Sequence, residues 1–385
     1  MTLVFVSVVL NIHQISIADE LYRLTGGNYW FIETGDFNGD NSKGGDDFSQ
    51  RPYLIRIADG EVALHKVLQI IRDADVMIYG AAPLIYLRER ISTGKLTFMY
   101  SERWLKKGLL NLFSPRLLKQ QWFYHVHCHG KPFYVLCSSA YAARDFNLMR
   151  SFIGKCYKWG YYTAVPALDI ETILREKRNS TIVKILWVGR LIAWKHPETM
   201  IRLALQLRQE KINFYINLIG AGDMFNHLQV QIQKFGLGEY VHLWGSMPND
   251  SVKQAMLTHH IACFTSDRNE GWGAVLNEAM GCGCCPVSSI ETGSTPYLIK
   301  DRVNGFSFNL RKKNNLFEKV LWLIKHPVEC ERMSLEAYNT VHNVWSPENA
   351  ATQLYKLCDA MLKGQTLEIA DDLGVDALKA VGGVE

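Results

Sequence analysis

Short apolar runs alternate with longer amphipathic ones along this chain, and the alternation occurs twice. In the first half, Leu3–Leu10, Tyr29–Glu33, Asp75–Tyr79, Lys95–Tyr100 and Pro132–Cys137 have the length and apolar content of buried strands. Between them, His13–Leu24 and Glu61–Arg72 carry apolar residues at helical spacing. Strands separated by helices predict a parallel sheet wrapped by helices. Gly35–Gln50, rich in Gly, Asp, Asn and Ser, reads as a mobile loop at the rim. Around residues 151–166 the pattern breaks into aromatics and glycine (Lys158-Trp159-Gly160-Tyr161-Tyr162), then the charged run Asp169–Ser180, and an interdomain linker is expected there. The alternation then restarts, with strands at Ile182–Val188, Phe214–Ile219, Tyr240–Trp244, Ile261–Phe264 and Cys285–Ser288. Helices are predicted at Pro197–Glu210, Met224–Phe235, Asn249–His259 and Ala274–Gly281, and closing helices at Leu316–Ile324, Pro327–His342 and Pro347–Leu362. The tail from Lys363 is weakly patterned and expected to be disordered. The predicted class is α/β, with two Rossmann-like doubly wound domains over 1–165 and 166–345. Residues 346–385 are expected to form a terminal helix and tail packing back on the first domain. Ligands of such sheets bind beyond the carboxyl ends of the strands.

A length of 385 residues is enough for two hydrophobic cores. Nothing in the chain suggests a membrane span: Leu3–Leu10 is too short and lacks a basic leader, and no other apolar stretch is long enough. Nine cysteines without paired spacing point to reduced thiols in a cytoplasm, and Cys282, Cys284 and Cys285 read as small packing residues rather than metal ligands. The net charge of +4 is unevenly placed, with 19 Lys and Arg against 14 Asp and Glu in residues 1–165. That half is a candidate for meeting an anionic surface. The basic residues form no concentrated stripe beside stacking aromatics, which argues against nucleic acid.

The densest chemistry lies in Asp267–Val287. A polar loop containing Glu270, Gly271, Trp272 and Gly273 leads into an apolar helix that carries Glu278, with seven residues between the two acids. Glu278 therefore lies about two helical turns beyond Glu270. One acid can sit at the helix mouth and the other on its flank, both toward one elongated ligand, with glycines admitting that ligand to the backbone. The unpaired N–H groups at the mouth suit a phosphate or polar sugar. Earlier, Val188-Gly189-Arg190-Leu191 ends a strand, and Lys195 follows just before a helix opening at Pro197. A planar cationic fork and a point charge are two standard ways to hold a diphosphate. Next, Leu218-Ile219-Gly220-Ala221-Gly222 puts a Gly-x-Gly turn after a strand. The dinucleotide fingerprint fails, because position 225 is Phe and no acid terminates the next strand at Trp244. What survives is close backbone approach to a nucleotide, with Gly245 and Ser246 flanking the base.

The Glu-x7-Glu element with Gly-Trp-Gly inside, the Val-Gly-Arg-Leu followed by lysine, and the Asp301-Arg302-Val303-Asn304-Gly305-Phe306 turn together resemble retaining glycosyltransferase family 4. The likeness is strong over residues 182–308 and departs from the family at Cys284-Cys285-Pro286. It implies the GT-B architecture, two Rossmann-like domains facing across a cleft. It also implies a nucleotide-sugar donor, Glu278 on the ribose hydroxyls, Glu270 on the donor sugar, and Arg190 and Lys195 on the departing diphosphate. Retention follows from the resemblance, which further implies that neither cofactor nor metal is needed.

The first half resembles the family more loosely. Asn11-Ile12-His13-Gln14 follows the first strand and looks like the start of some capsule and lipopolysaccharide transferases, making His13 a candidate for bonding sugar or acceptor. Glu102, in Ser101-Glu102-Arg103-Trp104, either orients an acceptor hydroxyl or pairs with Arg103. His125, His127 and His129 would share one face of an extended segment, yet no partner acid is near and packing is the simpler reading. Residues 103–123 mix aromatic and aliphatic positions with Arg103, Lys106, Lys107, Arg116 and Lys119, which fits either an interfacial helix on anionic lipid or an ordinary amphipathic helix. The expected protein is cytoplasmic, peripheral on the inner face of the membrane, and acts on a saccharide or lipid-linked saccharide acceptor of a surface polymer. A nucleotide-sugar epimerase of the same fold and a non-catalytic saccharide- or nucleotide-binding protein are the alternatives.

Overall fold

The computed structural model describes residues 1–35, 48, 50–57, 61–165 and 167–365. Most of the loop expected over Gly35–Gln50, and the tail beyond Gln365, lie outside the described residues. The chain divides into two compact units, one comprising Met1–Ala164 with the segment from Trp345 onward, the other Val165–Val344.

The first unit is built on a seven-stranded parallel sheet. Its strands are β1 (Leu3–Ser7), β2 (Tyr29–Glu33), β3 (Leu54–Arg56), β4 (Val76–Tyr79), β5 (Thr97–Ser101), β6 (Phe133–Cys137) and β7 (Cys156–Lys158). Their order is β3-β2-β1-β4-β5-β6-β7, so the winding reverses between β1 and β4. The strands are buried on both faces, as parallel strands under helices must be. Val4 and Val6 pack with Ile32 and Met77 on one side, and Val135 and Cys137 with Phe146 and Phe152 on another. The Ile12–Leu24 helix is capped by Asn11, whose side chain accepts the His13 N–H at 3.0 Å. The Pro347–Leu362 helix also belongs to this unit and packs on Ile12–Leu24. Just before it, Trp345 stacks on Tyr162 at 5.5 Å and lies under the Lys158 ammonium.

The second unit repeats the plan with β8 (Val183–Val188), β9 (Phe214–Ile219), β10 (Val241–Gly245), β11 (Ile261–Phe264), β12 (Cys285–Ser289) and β13 (Phe306–Phe308). The order β10-β9-β8-β11-β12-β13 is parallel throughout. Ile185 on β8 pairs with Ile216 of β9 and Ile261 of β11, which makes β8 and β11 the adjacent strands where the winding reverses. A core of Ile185, Trp187, Leu218, Cys263, Val287 and Phe306 fills one face against the Glu198–Gln209 and Asn315–Lys325 helices.

Two expectations are corrected. The charged run Asp169–Ser180 is not linker: Ile170–Arg178 is a helix of the second unit, capped by Asp169 accepting from Thr172 N. Its Ile170 and Leu174 are buried with Tyr338 and its Lys177 is buried against the Met256, Cys282 and Gly283 carbonyls, while Glu171, Arg175, Glu176 and Arg178 mark the solvent side. The triple-histidine segment is not extended, because Tyr124–Cys128 closes into a π-helical turn. All nine cysteines are free and buried, and Cys284 packs with its thiol toward the Met256 and His259 carbonyls. Among the described residues no helix is long and apolar enough to cross a membrane.

Candidate functional site

In the second unit the loops leaving β8 and β11 emerge side by side at the reversal of strand order, where a crevice forms beyond the carboxyl ends of a doubly wound sheet. The β8 loop carries Gly189 and Arg190 and closes in a 3-10 turn, Ala193–Lys195. The β11 loop runs from Thr265 to Gly273. Lys195 Nζ donates to Glu270 Oε2 at 2.6 Å, with 11% and 14% of the two side chains exposed. An ion pair withdrawn from water to this degree is held in one geometry by its surroundings rather than by charge alone.

Those surroundings are identifiable. Ser266 Oγ donates to the same Glu270 oxygen at 3.0 Å. Thr265 Oγ1 donates to the Lys195 carbonyl at 2.6 Å while accepting the Trp187 indole N–H at 2.8 Å. The backbone N–H of Asp267 reaches the Trp194 carbonyl at 3.0 Å. His196 joins the two loops again, with Nδ1 3.2 Å from Glu198 and Nε2 3.4 Å from Asp267. The Glu198 hydrogen bond raises the His196 pKa against the opposing effect of burial, and both nearby carboxylates add to the rise. Burial alone would raise Glu198, but the bond to His196 and its charge hold that carboxyl below its usual range. His196 adopts a left-handed backbone conformation (φ 49°), so the turn commits its ring to this bridge.

Arg190 stands differently. It is exposed, and its guanidinium lies 5.9 Å from the Trp194 ring and has no hydrogen bond or ion pair among the described residues. Lys195 Nζ lies 5.0 Å from the same ring, so one indole carries both cations. Glu278, on the Val275–Gly281 helix, likewise has no partner for its carboxylate among the described residues. Burial pushes its pKa up to about 7, with Lys253 opposing only weakly. The side chain is half-buried, so its carboxylate remains accessible to a ligand that brings a donor.

The glycines divide by role. A Cβ on Gly220 would lie 1.8 Å from the Gly189 carbonyl oxygen, and one on Gly222 would lie 2.4 Å from that of Leu191. Both have φ near 150°, so no other residue fits. They let the 220–224 turn pack on the β8 loop, where Leu191 N bonds to Ala221 O and Met224 N to Leu191 O. The space a side chain would need there belongs to protein backbone. Gly189 lies beneath the Lys195 side chain, Gly245 accepts the Gly220 N–H at the end of β10, and Gly273 is wedged between Phe264 and Glu270. Gly271 is buried in the loop. Trp272 is 1% exposed with its indole N–H on Asn277 Oδ1 at 2.9 Å; it anchors the helix carrying Glu278 and is closed to a ligand.

In the first unit, His13 follows β1, Glu102 follows β5 and Tyr161 follows β7, and these three meet. The His13 ring stacks on Tyr161 (5.7 Å, 14°), and Tyr161 OH donates to Glu102 Oε1 at 2.9 Å. Glu102 pairs with Lys106, not with Arg103. Arg103 is buried instead against Asp145 at 3.1 Å, which also accepts the Leu105 N–H. Gln14 beside His13 has a buried Oε1 with no hydrogen-bond partner among the described residues, and both residues line a crevice with Phe5, Tyr100 and Trp159. Among the described residues no three His, Cys, Asp or Glu side chains are gathered to hold a metal.

Sequence reasoning missed Thr265, Ser266, Asp267 and His196. The run Thr-Ser-Asp directly after a strand was a signal, since polar residues at a strand's carboxyl end sit where ligands bind.

Residues 170–340 match the family described as Glycosyl transferases group 1. An uncharacterized glycosyltransferase of Methanocaldococcus jannaschii is 28% identical over 141 residues, 37% of this chain and 38% of that protein. The matches span 38%, 42% and 30% of the length of three curated relatives, well under half in each case. Among solved structures, Anabaena HepE in complex with UDP superposes with a TM-score of 0.71 at 15% identity, covering 94% of this chain and all of that one. The apo lipopolysaccharide outer core galactosyltransferase WaaB gives 0.67 at 15% identity, covering 93% and 100%. The fold is the two-domain Rossmann-like GT-B fold.

Proposed function

We propose that this chain is a retaining glycosyltransferase of family 4 type, moving a sugar from a nucleotide-sugar donor to a saccharide acceptor. The observation that carries the reading is the Lys195–Glu270 pair at the sheet's reversal point, accompanied by the uncommitted Arg190 guanidinium and the unpartnered Glu278 carboxylate. Two cations and two acids are the complement that a sugar diphosphate requires. HepE, solved with UDP and with UDP-glucose, makes UDP-sugars the first donors to test.

Glu278 would accept the ribose hydroxyls and Glu270 a hydroxyl of the donor sugar. As the anomeric C–O bond breaks, its electron pair leaves with the diphosphate, and Arg190 and Lys195 stabilise the growing charge without a metal. The acceptor oxygen bonds to the anomeric carbon on the face the diphosphate leaves, and its proton passes to a phosphate oxygen. Glu270 is held by Lys195 and Ser266, so the working mechanism assigns it no covalent role. His13, Gln14 and Glu102 would hold the acceptor, which we take to be a lipid-linked saccharide of a bacterial surface polymer, handled at the inner face of the cytoplasmic membrane. The likeness to WaaB supports that choice of acceptor.

Thermal shift with UDP-, GDP- and dTDP-sugars tests the donor, because a ligand that binds only the folded state raises its melting temperature. A matching donor should stabilise the wild type and fail to stabilise Glu278→Gln. If no sugar nucleotide stabilises the wild type, the reading is wrong, and if a donor is isomerised without any acceptor, the enzyme is an epimerase.

A further inference from the structure

The described residues expose fifteen large apolar side chains, and six of them fall within eighteen residues of the first unit: Leu109, Leu110, Phe113, Leu118, Trp122 and Val126. Leu110 and Phe113 are 82% and 78% exposed. The segment is nevertheless firmly seated. Leu105, Leu117 and Phe123 point inward, Asp145 binds Arg103 and the Leu105 N–H, and Gln121 Nε2 donates to the Met149 carbonyl at 2.6 Å. Leu148 and Ile153, also exposed, flank that tie point.

Charge decides what such a face meets. From residue 103 to residue 168 the chain has ten lysines and arginines and a single carboxylate, Asp145, which is buried against Arg103. Lys107, Arg116 and Lys119 are exposed among the apolar side chains. Protein interfaces are depleted in lysine at their centres, whereas apolar residues interleaved with cations and free of acids suit an anionic lipid surface. We propose that this face docks on an anionic bilayer. Leu110, Phe113 and Trp122 would enter the headgroup region while Lys107, Arg116 and Lys119 meet lipid phosphates. The proposal deepens the reading of a lipid-linked acceptor, but its test does not depend on transferase activity.

Co-sedimentation of the purified full-length chain with phosphatidylglycerol-containing vesicles, against phosphatidylcholine vesicles, reads the binding directly. Binding should require the anionic lipid and weaken with salt. Lys107→Ala/Arg116→Ala/Lys119→Ala should lower affinity roughly a hundredfold, about fivefold per cation. Leu110→Ser/Phe113→Ser/Trp122→Ser should abolish insertion, read as loss of the Trp122 blue shift already in Phe113→Ser or Leu110→Ser alone. Because these side chains are exposed, the melting temperatures and any donor-induced shift should stay unchanged, separating failure of docking from failure of the function. Absence of binding to anionic vesicles at low salt overturns the proposal. So does self-association that the apolar variant disrupts while vesicle binding is absent, since that would make the face a contact between copies.

Discussion

Glu278 offers the sharpest test, because the property that suits it to bind a ligand should also destabilise the free protein. Burial raises its pKa from the ordinary 4.5 of a glutamate to about 7. A carboxyl whose folded pKa exceeds its unfolded value contributes stability below the unfolded pKa, and that contribution is lost as pH rises through the folded one. For Glu278 the loss falls between pH 4.5 and about 7 and amounts to roughly 3 kcal/mol at 1.36 kcal/mol per unit. Glu278→Gln removes the ionisation, so at pH 8 the variant should be more stable than wild type by about 1–3 kcal/mol, with no advantage at pH 4. Donor binding should move the other way. Only the carboxylate accepts two hydroxyl donors, so wild-type affinity for the nucleotide should rise about tenfold between pH 6 and pH 8. The variant should bind weakly and without that rise. Chemical denaturation at several pH values, with isothermal titration of UDP or the identified donor, measures both arms. A variant no more stable at pH 8, together with an unchanged pH profile of binding, would refute the idea that an unpartnered half-buried carboxylate is the nucleotide's anchor.

Lys195→Ala should cut turnover roughly 10²–10³-fold and also lower the melting temperature, because Glu270 is left half-buried with Ser266 alone. Arg190→Ala should slow the reaction too, yet change stability by no more than about 0.5 kcal/mol, since the guanidinium supports nothing else; equal destabilisation by the two substitutions would count against the assignment. The His196–Glu198–Asp267 bridge should contribute its full stability between pH 4.5 and 6.5, the ordinary values of the two groups, and lose it as pH falls toward the lowered pKa of Glu198 or rises toward the raised pKa of His196. His196→Asn, whose side chain tolerates the left-handed turn, should remove that part of the stability–pH profile; an unaltered profile by denaturant titration would exclude the bridge. Gly220→Ala should destabilise by about 3 kcal/mol or more, measurable as poor soluble yield or early melting, because its Cβ would fall on the Gly189 carbonyl.

The parallel sheets were legible because strands buried on both faces are written as unbroken apolar runs, and Tyr29–Glu33, Phe214–Ile219 and Ile261–Phe264 appear in the fold with the predicted bounds. The three-residue edge strands Leu54–Arg56, Cys156–Lys158 and Phe306–Phe308 were not, since three residues carry no period. The acids and cations of the donor side were visible as residue types at strand ends, but their supports were not. Nothing local tells that Ser266 grips Glu270, four residues on, or that His196 spans two loops, because the shape of the loop is set by contacts from Thr265 to Lys195 and from His196 to Asp267 that cross about 70 residues. Gly-x-Gly at 220–222 shows in sequence that something approaches the backbone, and only packing reveals that another loop does so. In residues 103–123 apolar content was plain, yet which side chains turn inward depended on the unforeseen Arg103–Asp145 pair.

The interruption of the first unit by the second has a consequence during synthesis. Val165–Val344 is a continuous stretch that can complete its own sheet as it emerges from the ribosome. The earlier-made unit must wait for the Pro347–Leu362 helix, with its buried Ala350, Ala351, Leu354 and Leu357, to pack on the Ile12–Leu24 helix. A nascent chain halted near residue 344 should therefore yield a protease-resistant later portion and a labile beginning, reversing the usual vectorial order of maturation.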